Sequence, residues 1–142
     1  MAKPGCRAGL SRCTDRRKPD AGNRWSGDGG VGYHISELET ALRLGLPTIQ
    51  IVLNNASLGF EYHLQKHEHR ELCDAAHEYL DVDFAAVARG FGCHGERVTD
   101  AGALAGALER AANSGKPALL DIVVSREVPA PVARYEALGL RD

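Results

Sequence analysis

The sequence predicts a layered α/β domain built on a mostly parallel sheet, and three observations carry that expectation. Two short, almost continuously apolar runs, TIQIVL at 48–53 and ALLDIVV at 118–124, suit strands covered on both faces. Segments with helical periodicity alternate with them. Glycine and proline punctuate the joins between the two kinds of segment. Helices alternating with buried strands imply a sheet with helices packed against it.

The elements follow in chain order. Ile35, Leu38 and Leu42 recur at i, i+3 and i+7, the spacing of one helix face. Gly45 stops that helix and Pro47 prevents its continuation. The strand at 48–53 then ends abruptly at Asn54-Asn55. Residues 84–91 read as a second helix, with Phe84, Val87, Ala88 and Phe91 on one face. Thr99 or Asp100 caps a third, which runs to about Asn113 with Leu104, Leu108 and Ala111/Ala112 inward. Gly115 and Pro117 close it before the strand at 118–124. Residues 126–142, with Pro129 and Pro131, are expected to lie over the surface as a tail.

Composition narrows the class. A chain of 142 residues, 44% apolar and 25% charged, matches one soluble globular domain. No apolar run approaches the about 20 residues that cross a bilayer, and the basic start lacks the apolar core of a secretory signal. Cys6, Cys13, Cys73 and Cys93 form no metal-binding spacing and read as reduced thiols, so a cytoplasmic protein without membrane or nucleic-acid partners is expected. Net charge is −2, yet residues 1–25 carry +5 and the remainder −7. A basic arm and an Arg-rich targeting peptide are two readings of that segment. Without aromatic interleaving, a solvated basic tract is the default.

One pair of motifs stands out. Gly27-Asp28-Gly29 precedes the first helix, and Asn54-Asn55 follows the next strand after a spacer of 24 residues. A helix of ten residues climbs roughly 15 Å and a six-residue strand returns about 20 Å, so the spacer fits one right-handed crossover. Both motifs then fall at the carboxyl ends of neighbouring parallel strands, where open α/β sheets bind ligands. Asp28 offers a carboxylate, Asn55 an amide oxygen, and the chain beyond Asn55 a carbonyl. That oxygen set suits octahedral Mg²⁺ shared with phosphate. Gly29 and Gly30 leave space and N–H groups for a diphosphate. Either motif alone is more often a turn; the pair at this separation is the signal.

With these residues in view, the sequence resembles thiamine diphosphate-dependent enzymes. "GDGG", 23 residues and "NN" are similar to their signature, and "ISELETALRLGLPTIQIVLNNASLGF" resembles the corresponding stretch of acetolactate synthase-like decarboxylases and carboligases. "VDFAAVARGFGCHGERV" and "SGKPALLDIVV" resemble the closing helix and strand of the same cofactor-binding domain. The resemblance implies a partial three-layer thiamine diphosphate-binding fold over residues 26–125. It implies that Asp28, the Asn55 side chain and the Ser57 carbonyl hold Mg²⁺, that Gly29 and Gly30 meet the diphosphate, and that Leu58, Gly59 and Phe60 line the cofactor's pocket. The reaction class would be carbon–carbon chemistry on a 2-oxo acid.

Two departures temper that expectation. The family has an apolar strand leading into Gly-Asp-Gly, whereas residues 20–26 here are polar and contain a glycine. The glutamate that activates the cofactor lies in a separate domain, usually of a partner subunit. The chain is therefore expected to be inactive alone and to need another subunit or domain, with a non-catalytic remnant or Mg-diphosphate binding module as the alternative; no catalytic residue is assigned. The composition break near Trp25 suggests that "RRKPDAGNRW" is a shifted frame or scar joined to a carboxyl-terminal fragment. His63, His67, His69, Cys73 and His77 form a loose group without a zinc signature and read as a polar surface stretch. Glu37 and Glu39, at i and i+2, do not face each other. An incomplete sheet is expected to expose apolar edges and associate.

Overall fold

A computed structural model describes residues 23–68 and 74–128. Most of the basic segment, His69 and Cys73 of the histidine group, and the tail beyond Val128 lie outside the described residues.

Four strands form one sheet: β1 (Asn23–Gly27), β2 (Ile49–Asn54), β3 (His94–Val98) and β4 (Ala118–Val123). Their order is β1-β2-β4-β3 and every pairing is parallel. The α/β class with a parallel sheet is thus as the sequence predicts. Six α-helices accompany the strands among the described residues: α1 (Asp28–Val31), α2 (Glu37–Leu44), α3 (Gly59–Glu68), α4 (Asp74–His77), α5 (Phe84–Gly90) and α6 (Leu104–Asn113).

Alternation along the central strands builds two cores. Ile49 and Ile51 of β2, with Ala118 and Leu120 of β4, face α6 and pack on Ala107 and Ala111. Val52 and Leu119 face the other side and meet Val31, Leu38, Ala88 and Cys93. Helix, sheet and helix therefore form three layers. Ile51 and Val52 are 1% and 0% exposed, and burial of each such side chain is worth roughly 1.5–3 kcal/mol.

Local chemistry sets the helix ends. Gly45 takes the left-handed conformation that closes α2, with φ 65°, and Leu46 N–H reaches back to the Ala41 carbonyl at 2.9 Å. Asp83 caps α5 by accepting from Ala86 N–H at 2.7 Å. Asp100 accepts from Gly102 N–H at 3.0 Å and opens a single 3₁₀ turn that leads into α6. Ala112, expected inward with Ala111, is exposed; Ala107 is buried in its place.

Three elements differ from expectation. The strand before Gly-Asp-Gly is present: β1 pairs in parallel with β2, Asn23 opposite Ile49 through Gly27 opposite Leu53. It runs across residue 25, so the sheet takes in Asn23, Arg24 and Trp25, which composition groups with the basic segment. Its residues are polar because it is a sheet edge with little cover, and Trp25 is 65% exposed; backbone pairing, together with Gln50 donating to Ser26 Oγ at 2.8 Å, holds it. β3 forms the other edge, where Val98 alone is fully buried. The stretch containing His63 is helix α3, amphipathic only weakly, with Tyr62 as its buried contact.

Candidate functional site

Because β1 and β2 are parallel neighbours, Asp28 and Asn55 leave the sheet side by side at its carboxyl end. Asp28 is 6% exposed. Its Oδ1 accepts from Gly29 N–H at 2.9 Å and its Oδ2 from Ser57 N–H at 3.0 Å. That second bond joins the two motifs across 29 residues of sequence. Ser57 N–H is shared with Asn55 Oδ1 at 3.1 Å. A carboxylate has about four lone-pair positions, so two N–H donors leave it with capacity for a cation.

The glycines do different work. A Cβ on Gly29 would lie 2.8 Å from Leu58 Cδ2 and 3.2 Å from Tyr79 Oη. Gly29 therefore makes room for the Asn loop and Tyr79, and its N–H is already given to Asp28. Gly30 is more open, with Ser26 Cβ at 3.7 Å from its own Cβ position. A Cβ on Gly59 would come within 2.9 Å of Asn55 Nδ2, so this glycine lets the Asn55 amide lie where it does.

These residues wall an open cleft of about 470 Å³. Gly29, Gly30, Asn55, Leu58, Gly59 and Phe60 all line it, together with Asp28 and Ser57. Every residue expected at the site is thus brought to one cavity. A second cleft of about 460 Å³, lined by Tyr33, Tyr79, Leu80 and Val82, shares Asp28 and Gly29 with the first. Burial raises the Tyr79 hydroxyl above its usual range, with Tyr33 and Asp28 adding to it.

The support behind the Asn loop is not read from sequence. Asn54 is 2% exposed. Its Nδ2 donates to Asp121 Oδ1 and to the Val82 carbonyl, each at 3.0 Å, and its Oδ1 accepts from Ala56 N–H at 3.1 Å. Asp121 is fully buried and also accepts from Phe84 N–H at 3.1 Å. Burial pushes its carboxyl above the ordinary range, against the lowering effects of Asn54 and Arg97. The visible signal was a single acid inside the otherwise apolar ALLDIV strand. Ser57 Oγ donates to the His77 carbonyl at 3.0 Å, and Leu58 N–H to the same carbonyl at 2.8 Å. The first residues past β4 return over the loop: Val124 N–H donates to the Asn54 carbonyl at 2.9 Å.

The donor set that the resemblance implies is a carboxylate, an amide oxygen and a backbone carbonyl, which are hard oxygens suited to Mg²⁺. With the unused lone pairs of Asp28, this chemistry fits a metal-bridged diphosphate. Among the described residues no group of three or more His, Cys, Asp or Glu side chains is placed to hold a metal. No helix among them is long and apolar enough to cross a membrane.

Comparison with known proteins bears on the cofactor-binding domain. Residues 20–122 match the family model described as thiamine pyrophosphate enzyme, C-terminal TPP binding domain. The chain is 36% identical over 106 residues to YdaP of Bacillus subtilis, a protein named for containing thiamine pyrophosphate; the match covers 74% of this chain and 18% of that one. It is 32% identical over 99 residues to an acetolactate synthase of Bacillus subtilis, covering 70% and 17%. It is 31% identical over 114 residues to a sulfoacetaldehyde acetyltransferase of Castellaniella defragrans, covering 78% and 19%. The chain spans less than a fifth of the length of these relatives. The family match begins at residue 20, ahead of the composition break at Trp25.

Proposed function

This chain belongs to the thiamine pyrophosphate enzymes and carries their C-terminal TPP-binding domain, and from that premise we propose that it holds Mg²⁺ and the diphosphate of the cofactor between its Gly-Asp-Gly and Asn-Asn turns. Asp28, the Asn55 side-chain oxygen and the Ser57 carbonyl are the metal ligands in this reading. Gly30 N–H faces the diphosphate; Gly29 serves by letting the loops close. Leu58, Gly59 and Phe60 line the cofactor's side of the cleft. The observation that carries the reading is the Ser57 N–H bond to Asp28 Oδ2, which makes one site of two motifs.

Bound thiamine diphosphate supplies the nucleophilic carbon for decarboxylation or carboligation of a 2-oxo acid. The residues here fix the diphosphate and cation; the acid that activates the cofactor comes from another domain or subunit. The chain alone then binds the cofactor without turnover. Calorimetric titration with thiamine diphosphate, with and without Mg²⁺, tests this. The expected result is Mg²⁺-dependent binding that Asp28→Ala reduces by on the order of 100-fold, and no consumption of pyruvate. Absence of binding by the folded wild-type chain overturns the reading.

A further inference from the structure

We propose that Arg126 is a positioning residue for the candidate metal-binding loop, acting through the backbone of Asn55 and Ala56. The proposal rests on the Mg²⁺-diphosphate reading for its functional consequence, but its structural half stands without it.

The loop turns on a residue in an unfavourable conformation. Ala56 has φ 52°, the only non-glycine residue with positive φ among those described. A left-handed alanine places Cβ against its own backbone and persists only where the surroundings over-determine it. This reversal separates the two expected donors, the Asn55 side chain and the Ser57 carbonyl, and turns Ser57 N–H toward Asp28. If Ala56 relaxed to the ordinary region, the peptide that follows would rotate and that N–H would leave the carboxylate.

Arg126 closes over this point from the segment after β4. Its Nη2 donates to the Ala56 carbonyl at 3.2 Å and its Nε to the Asn55 carbonyl at 3.4 Å. Its Nη1 pairs with Glu78. Tyr79 N–H donates to the same Ala56 carbonyl at 2.9 Å, so both lone pairs of that oxygen are engaged. Glu78 itself lies opposite Ser57 in an antiparallel bridge. One planar guanidinium thereby holds two successive carbonyls of the loop and the strand-like segment beside it. Lysine offers no such fork.

The test uses the full 142-residue chain and two readouts. Amide hydrogen exchange at Ser57 reports whether the loop is held, and calorimetric titration with Mg²⁺ and thiamine diphosphate reports its consequence. Arg126→Ala should speed Ser57 exchange and weaken cofactor binding by about tenfold or more, the usual effect of losing a group that orients metal ligands. Exchange in the β2 and β4 amides should stay unchanged. Arg126→Lys should fall between, and Glu78→Gln should reproduce part of the loss. Wild-type exchange at Ser57 in Arg126→Ala overturns the clamp. Faster exchange with unchanged affinity confines Arg126 to structure and overturns its role at the site. If the wild-type chain binds no cofactor, the cofactor reading fails with the functional half of this proposal, while the exchange comparison still decides whether Arg126 holds the loop.

Discussion

The two halves of the candidate site rest on unequal supports. The Asn loop leaves β2, a central strand buried between two layers, and is fixed by Asp121, the Val82 carbonyl and the His77 carbonyl. The Gly-Asp-Gly turn leaves β1, a polar edge strand whose residues are mostly exposed. The contact between them is carried by Ser57 N–H on Asp28, with Leu58 packed where a Gly29 side chain would be. A ligand that needs both halves therefore meets one that is preformed and one that depends on its neighbour for position. The same reversal of polarity explains why one half was conspicuous in the sequence through its strand and the other only through its turn.

Two substitutions probe that asymmetry. Asn54→Ala has the larger expected effect. It leaves the buried Asp121 carboxylate and the Val82 carbonyl each short of a donor, and Ala56 N–H short of an acceptor. A loss of about 2–4 kcal/mol is expected in urea denaturation at unchanged slope. A loss near zero would mean the buried network does not hold the loop. Trp25→Ser on β1 has the smaller effect, within about 0.5 kcal/mol by the same measurement, because the side chain is mostly in solvent. A loss comparable to that of Asn54→Ala would erase the distinction between the two supports.

The legible parts of the fold were those whose burial imposes a pattern. β2 and β4 announce themselves as apolar runs, and α2 and α6 as amphipathic helices ended by Gly45 and Gly115. β1, β3 and α3 were not legible, because an edge strand or an exposed helix satisfies its backbone without any apolar period. Asp28 and Asn55 were found by residue type and separation, and their adjacency follows from the parallel crossover. The bracing roles of Asn54, Asp121 and Arg126 were not, since their bonds to Val82, to one another and to the Asn loop span 28 to 71 residues of sequence, even where the residue itself stands in a visible motif or run. The polar stretch before Gly27 is an edge strand, and its polarity follows its exposure.

The central claim is that Asp28 and Asn55 act on a single bound metal–diphosphate. The most direct measurement is a double-mutant cycle, with Mg²⁺-dependent thiamine diphosphate binding followed by calorimetry in wild type, Asp28→Ala, Asn55→Ala and the double variant. Residues that share one cation should be strongly coupled, so that the second substitution adds far less than it costs alone. Additive losses, or an Asn55→Ala chain that binds like wild type, would contradict a shared site.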